Sequence, residues 1–202
     1  MGFTFFYRDR HTLEQLVNQM VIGSNKDYPF KVWDAGCSNG AEPYTFAMIL
    51  KEKIGKEWFS KIQIIATDID EYSNFEKIIP AGIYPKSDLE RMPEEIFHKY
   101  FIKYDDFNRY IIIDEIKSKI KYIKHNLLSL VAVEKNFDVV ICKNVLLHFS
   151  DQERIDVFKM FHKVLNKNGL LATEQTQELP VELADLFEKV IPNANIYRKI
   201  IK

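Results

Sequence analysis

Residues 33–45 read WDAGCSNGAEPYT and residues 61–70 read KIQIIATDID. In the first stretch Asp34 precedes Gly36 and Gly40, and Glu42 opens a helical pattern. In the second, Asp68 closes an apolar run. In an open α/β sheet, ligands bind beyond the carboxyl ends of the strands, and an acid ending the second strand suits ribose hydroxyls. Glycine at 36 allows close backbone approach, and a helix starting after Gly40 offers free N–H groups. The spacing is G-x-x-x-G, not the G-x-G-x-x-G of a dinucleotide site. A carboxylate at Glu42 repels pyrophosphate and suits a cationic ligand, an ammonium or a sulfonium. S-adenosylmethionine carries both, so Asp34, Gly36, Glu42 and Asp68 together predict a site for it. The plainer account of Glu42 is a carboxylate favoured at a helix N-terminus.

Other chemistries find little support. The histidines at 11, 98, 125, 148 and 162 lack metal-ligand spacing, so no metal is expected. Cys37 and Cys142 are far apart and form no CxxC pair, which fits a reducing cytoplasm. A net charge of −1 argues against a nucleic-acid binder. No apolar run is long enough for a membrane span. The N-terminus MGFTFFYRDRHTLEQ lacks the layout of a signal peptide or a myristoylation site.

The elements that must position these residues alternate between strand and helix. The chain has 202 residues, 47% of them hydrophobic, which predicts one domain over 1–202. Apolar spacing predicts a helix over 11–22, a strand from Phe30 to Ala35, and a helix from Tyr44 to Glu52. A strand over 61–70 follows, then a helix over 71–79 broken by Pro80 and Gly82. Residues 86–102 read as two helices meeting at Pro93. RYIIIDEIKSKIKYIKHNLL (109–128) reads as two strands around a polar turn at 114–118, a hairpin with an edge open to strand addition. Residues 137–149 open as a buried strand. Asp151 is expected to cap the next helix, and Lys167-Asn168-Gly169 to stop it. LLATEQ reads as a strand, 181–190 as a helix and NIYRKIIK as a last strand. Alternation implies a doubly wound parallel α/β sheet, with 80–120 as a small inserted subdomain.

The sequence resembles the CheR family, the chemotaxis receptor glutamate methyltransferases. The family arm T-x-F-F-R-[ED] corresponds to TFFYRD, Thr4 to Asp9. Its G-x-E-P-Y-[ST] corresponds to GAEPYT, Gly40 to Thr45, and its [AS]-[ST]-D-[IL]-[DS] to ATDID, Ala66 to Asp70. G-x-Y matches Gly82-Ile83-Tyr84, and N-L matches Asn126-Leu127. F-D-x-I-x-C-R-N-V-x-x-Y-F matches FDVVICKNVLLHF, Phe137 to Phe149. The matches run in order along nearly the whole chain. The resemblance implies a Rossmann-like class I methyltransferase sheet, and an arm over residues 1–10. It implies S-adenosylmethionine as cofactor, leaving as S-adenosylhomocysteine. It implies contacts to that cofactor from Thr4, Arg8, Glu42, Asp68, Asn126, Leu127, Lys143 and Asn144. Plainer roles exist for several: a frayed terminus for Thr4, an ion pair with Asp9 or Glu14 for Arg8, a turn for Asn126, a helix cap for Asn144. Phe5, Phe6 and Tyr7 read as packing.

Methylating a glutamate needs no general base, because a carboxylate of pKa about 4.3 is already ionised at neutral pH. Catalysis then comes from alignment, with Arg8 and His148 as the residues expected to hold the acceptor. The implied partner is a protein acceptor such as a chemoreceptor cytoplasmic domain, in the cytoplasm. In the family, the region matching 80–120 carries strands that in some members hold a receptor's C-terminal peptide. The sequence departs from the pattern at Lys143, where the family has arginine, and at His148, where it has tyrosine. It departs again at Glu174-Gln175-Thr176-Gln177, where the family has [HG]-[ST]-E. The family's N-terminal helical domain has no counterpart in these residues. A histidine at 148 could also act as base for an amine or hydroxyl. Two alternatives therefore stand beside receptor methylation: a methyltransferase for another protein or a small molecule, and a cofactor-binding module without turnover.

Overall fold

The computed structural model describes residues 4–23, 28–71, 74–176 and 178–201. In chain order these residues form α1 (Arg10–Gly23), β1 (Phe30–Ala35), α2 (Ala41–Lys53), α3 (Lys56–Ser60), β2 (Ile62–Asp68) and α4 (Phe75–Ala81). Then come β3 (Ile83–Pro85), α5 (Glu94–Tyr100), β4 (Phe101–Lys103), β5 (Arg109–Ile112), α6 (Asp114–Lys117) and β6 (Ile120–Lys124). The last third holds β7 (Phe137–Cys142), α7 (Asp151–Val164), β8 (Leu165–Thr173), β9 (Phe187–Lys189) and β10 (Ile196–Lys199). Short 3₁₀ turns occur at Lys86–Leu89, Leu127–Ser129, Leu146–His148 and Val181–Leu183.

β1 is buried almost throughout because it lies inside the sheet, where helices cover both faces and a strand reads as an apolar run. It pairs in parallel with β2 on one side and β7 on the other. The main sheet has the order β6-β2-β1-β7-β8-β10-β9, with β10 antiparallel to both β8 and β9. α1 lays Leu13, Leu16, Val17 and Met20 against α2 and β8. On the opposite face Trp33 meets Phe137 and Phe161. A separate antiparallel sheet, β3-β5-β4, is joined to the N-terminal arm by Phe6, whose ring meets Tyr84 and Phe101 edge-on.

Five expectations need correction. The strands β5 and β6 do not form a hairpin. β5 pairs with β3 and β4, while β6 joins the main sheet beside β2, with α6 between them. Alternation identified both strands but carried no information about their partners. Residues 181–190 are a 3₁₀ turn followed by β9, not a helix. The helix after His148 is capped by Ser150, whose hydroxyl accepts from Glu153 N–H while the Glu153 side chain accepts from Ser150 N–H. Asp151 is the first helical residue. α7 ends at Val164, and Lys167-Asn168-Gly169 lies within β8 at an irregularity in its pairing with β7. The helix expected from 71 begins at Phe75, and Tyr72, Ser73 and Gln177 lie outside the described residues, as does Lys202 at the end of the last expected strand.

Candidate functional site

A cavity of about 540 Å³ opens at the carboxyl ends of β1, β2, β6 and β7. Its floor begins at Gly36, with φ +96°, where the chain leaves β1. The amides of Gly36 and Cys37 both donate to the Thr67 carbonyl, at 2.7 and 2.9 Å. The Thr67 hydroxyl in turn accepts from Trp33 Nε1. A side chain at 36 has no room, since a Cβ there would come within 2.1 Å of Val145 Cγ2. The loop then reaches Ser38, whose amide donates to Asp68 Oδ2 at 2.9 Å, while Asp70 N–H donates to Asp68 Oδ1 at 3.1 Å. Asp68 is thereby fixed at the cavity by backbone donors on both oxygens. The Tyr84 hydroxyl donates to the Asn39 carbonyl, so the G-x-Y stretch braces this loop from the second sheet.

Glu42 stands in the first turn of α2, where a carboxylate is favoured. Its Oε2 accepts from Lys143 Nζ at 3.1 Å, and the same nitrogen lies 3.0 Å from Asp9 Oδ2. The Lys143 ammonium has no exposed surface. Burial alone pulls its pKa down, yet Glu42 and Asp9 outweigh burial and hold it above the usual lysine value. Burial likewise pushes Asp9 up, but the Lys143 charge and the hydrogen bonds from Lys143 and Asn144 leave it below the ordinary carboxylate range. One buried ammonium therefore ties the N-terminal arm to α2.

The arm crosses the cavity through residues 4–9. Tyr7, with φ +64°, donates its N–H to Thr45 Oγ1, and Arg8 Nη2 donates to Asn144 Oδ1 at 2.9 Å. Asn144 has φ +60°, and its own N–H donates to the Glu174 carboxylate. Glu174 is buried, and burial raises its pKa. Of the partners suggested for Arg8, Glu14 pairs with Arg10, while Asp9 pairs with Lys143 and also feels the Arg8 charge.

Thr4, Arg8, Gly36, Glu42, Asp68, Asn126, Leu127, Lys143, Asn144 and His148 all line this one cavity. Asn126 also accepts from Leu128 N–H and so caps the 3₁₀ turn beside it. His148 is exposed at the rim. Asp34 is the exception among the expected residues. It lies fully buried behind the floor, with neither carboxylate oxygen hydrogen-bonded among the described residues. Burial raises its pKa well above the ordinary range, Glu42 adds to the rise and Lys143 opposes it. The sequence reading passed over Asp9, Ser38 and His125. Asp9 stands in the arm motif, Ser38 between the two glycines and His125 directly before Asn126-Leu127, so position alone marked them. Among the described residues no group of three or more His, Cys, Asp or Glu could hold a metal, and no helix is long and apolar enough to cross a membrane.

The family model for the CheR methyltransferase, SAM binding domain, matches residues 2–195. The chain is 31% identical over 173 residues to chemotaxis protein methyltransferase 2 of Vibrio cholerae, covering 83% of this chain and 59% of that protein. It is 30% identical over 201 residues to the chemotaxis protein methyltransferase of Vibrio anguillarum, covering 98% of this chain and 72% of that one. Against several of these curated relatives the chain spans about three-fifths of their length. Among solved structures, the rRNA methyltransferase aviRa of Streptomyces viridochromogenes superposes with a TM-score of 0.60 at 13% identity, covering 98% of this chain and 86% of that one, a likeness of fold.

Proposed function

The chain belongs to the CheR methyltransferase family, and on that premise we propose that it methylates glutamate side chains of a protein acceptor with S-adenosylmethionine. The observation that carries this reading is the convergence on one cavity of two carboxylates, Glu42 from the first turn of α2 and Asp68 from the end of β2, with Arg8 from the arm and His148 at the rim. The donor set fits the cofactor. Asp68 keeps lone pairs for hydroxyls beyond its two backbone donors, and Glu42 offers a carboxylate to an ammonium. When bound, the cofactor would supply an electrophilic sulfonium methyl, which passes to a carboxylate oxygen while S-adenosylhomocysteine leaves as the neutral thioether. The residues do the rest by position. Asp68 would hold the ribose, Asn126 and Leu127 would flank the adenine, and Thr4 and Asn144 would close the cavity with the arm. Gly36 forms its floor, Lys143 fixes Glu42, and Asp34 supports the floor from behind. Arg8 steadies the incoming carboxylate, and His148 orients it. No proton need be removed from an ionised glutamate. The acceptor we propose is a chemoreceptor cytoplasmic domain. Two free buried cysteines, Cys37 and Cys142, accord with the cytoplasm.

Calorimetry with S-adenosylhomocysteine tests the cofactor, and tritiated methyl transfer to lysate proteins with a base-labile product tests the ester. Binding of NAD in place of the homocysteine derivative would overturn the reading. Asp68→Ala is expected to weaken S-adenosylhomocysteine by about 1–3 kcal/mol, since ribose hydroxyls lose their partner in a closed site. Unchanged affinity would move the ribose elsewhere.

His148 gives a sharper test of acceptor chemistry. Among the described residues its ring makes no hydrogen bond, so it is available to the acceptor. His148→Ala is expected to lower turnover while cofactor affinity holds, and His148→Tyr to preserve or raise carboxyl methylation. Turnover abolished in His148→Tyr with affinity intact would identify a base, and with it an amine or hydroxyl acceptor.

A further inference from the structure

A second cavity, of about 230 Å³, opens between α7 and the chain that follows β8, beside the segment carrying Asn144 and His148. Leu146, Ile155, Phe158 and Pro180 give it apolar walls. Thr173, only 2% exposed, lines it, and its hydroxyl finds no hydrogen-bond partner among the described residues. A buried hydroxyl without a partner is costly, so this one points to a group that enters from outside.

The charge around that hydroxyl is negative. Asp151 is offset by Arg154, and Glu178 lies 3.4 Å from Lys189 Nζ. Glu182 makes no ion pair among the described residues, and Glu174 accepts from the Asn144 N–H and feels the Lys143 and Arg154 charges. Four carboxylates, Asp151, Glu174, Glu178 and Glu182, thus line the cavity against one cation, Arg154, beside apolar walls.

We propose that this cavity binds an alkylammonium group, its methylenes along Ile155 and Phe158 and its N–H groups donating to Thr173 Oγ1 and to the Glu174 and Glu182 carboxylates. The chemistry is that of a lysine side chain or of a free amine. The lysine source is favoured because the cavity adjoins His148 through residues 146–151. A basic residue of the acceptor would then fix which glutamate reaches the methyl group. That choice of source rests on the methyl-transfer reading, whereas occupancy of the cavity does not.

The test titrates the full chain with n-butylammonium chloride and, in parallel, with 1-butanol, following backbone amide shifts. Butylammonium should give saturable shifts at Thr173, Glu174 and Leu146, and butanol none. Thr173→Val and Glu182→Gln should each weaken it about tenfold. Neither residue lines the main cavity, so S-adenosylhomocysteine affinity should stay unchanged. Thr173→Val should also raise the melting temperature in the absence of amine, an effect opposite to that of losing a structural hydrogen bond. No saturable shift, equal binding of butanol, or a destabilised Thr173→Val would overturn the proposal.

A second arm compares methyl transfer to glutamate peptides carrying lysine or norleucine at flanking positions. A lysine preference that disappears in Glu182→Gln assigns the cation to the acceptor. Butylammonium binding without such a preference assigns it to a free amine. If no peptide is methylated and S-adenosylhomocysteine does not bind, the methyl-transfer reading falls, and the butylammonium titration still decides the cavity.

Discussion

Lys143→Met is expected to lower folding stability by about 3 kcal/mol, measured from urea midpoints. Removing one partner of a buried ion pair costs about 3–5 kcal/mol, because the charge left behind is no longer compensated. The lower end applies here. The Asp9 side chain is 35% exposed and can rehydrate, whereas Glu42, 11% exposed, cannot do so fully. The loss should depend on pH in a defined direction. Asp9 sits below its ordinary pKa in the folded protein, so its contribution is present above the unfolded value of about 3.9 and fades as pH falls through the folded one. Lys143 sits above its ordinary value, so its contribution is complete below about 10.4 and fades only in stronger base. The difference between native and variant should therefore be flat across neutral pH and shrink in acid below about pH 4. A loss under about 1 kcal/mol, the size of an exposed pair, would mean that water reaches the ammonium.

Gly36→Ala is expected to cost a similar amount by a different route. A φ of +96° strains any residue with a Cβ, at about 1–3 kcal/mol. The added carbon would also lie 2.1 Å from Val145 Cγ2, and overpacking of that kind costs about 1–3 kcal/mol. The two parts separate in a double variant. Gly36→Ala/Val145→Ala should recover the steric part and keep the backbone part. Full recovery would show that the backbone carries no strain, and no recovery would show that Val145 does not set the close approach.

Gly36 also illustrates how far the sequence could be read. Its place between a strand and a helix, followed by Gly40, marked a turn with close approach. The neighbour that makes the approach close, Val145, is 109 positions away and invisible to local pattern. β1 was legible residue for residue, and β2 and β7 nearly so, because central parallel strands are unbroken apolar runs. α1 and α2 followed from helical spacing. The region around 181–190 failed because VELADLFEKV spaces its apolar residues as a helix would, while β9 is a three-residue edge strand too short to show alternation. At the site, ten expected residues share the main cavity, since motif order maps onto strand ends. Asp34 does not line that cavity, for it stands one residue before the end of β1 and is fully buried there. The role of Asp9 was missed because a buried cation from the far end of the chain gives it its place.

The strand order has a consequence for synthesis on the ribosome. β1 and β2 can pair as soon as residue 68 has emerged, but the other edge of β1 waits for β7, which begins at Phe137. At about 5–20 residues per second that interval lasts on the order of 3–14 s. Throughout it, Val32, Trp33 and Asp34 present an open apolar edge, the kind of surface on which nascent chains associate. Lys121 and Lys124 emerge before β7, and β6 brings them to the outer margin of the growing sheet. Like charges there discourage a second chain from adding at that side. The central seam closes only with FDVVIC, the same segment that delivers Lys143 and Asn144 to the cavity. Completion of the barrier against misassembly and completion of the cavity are thus one event in the life of the chain.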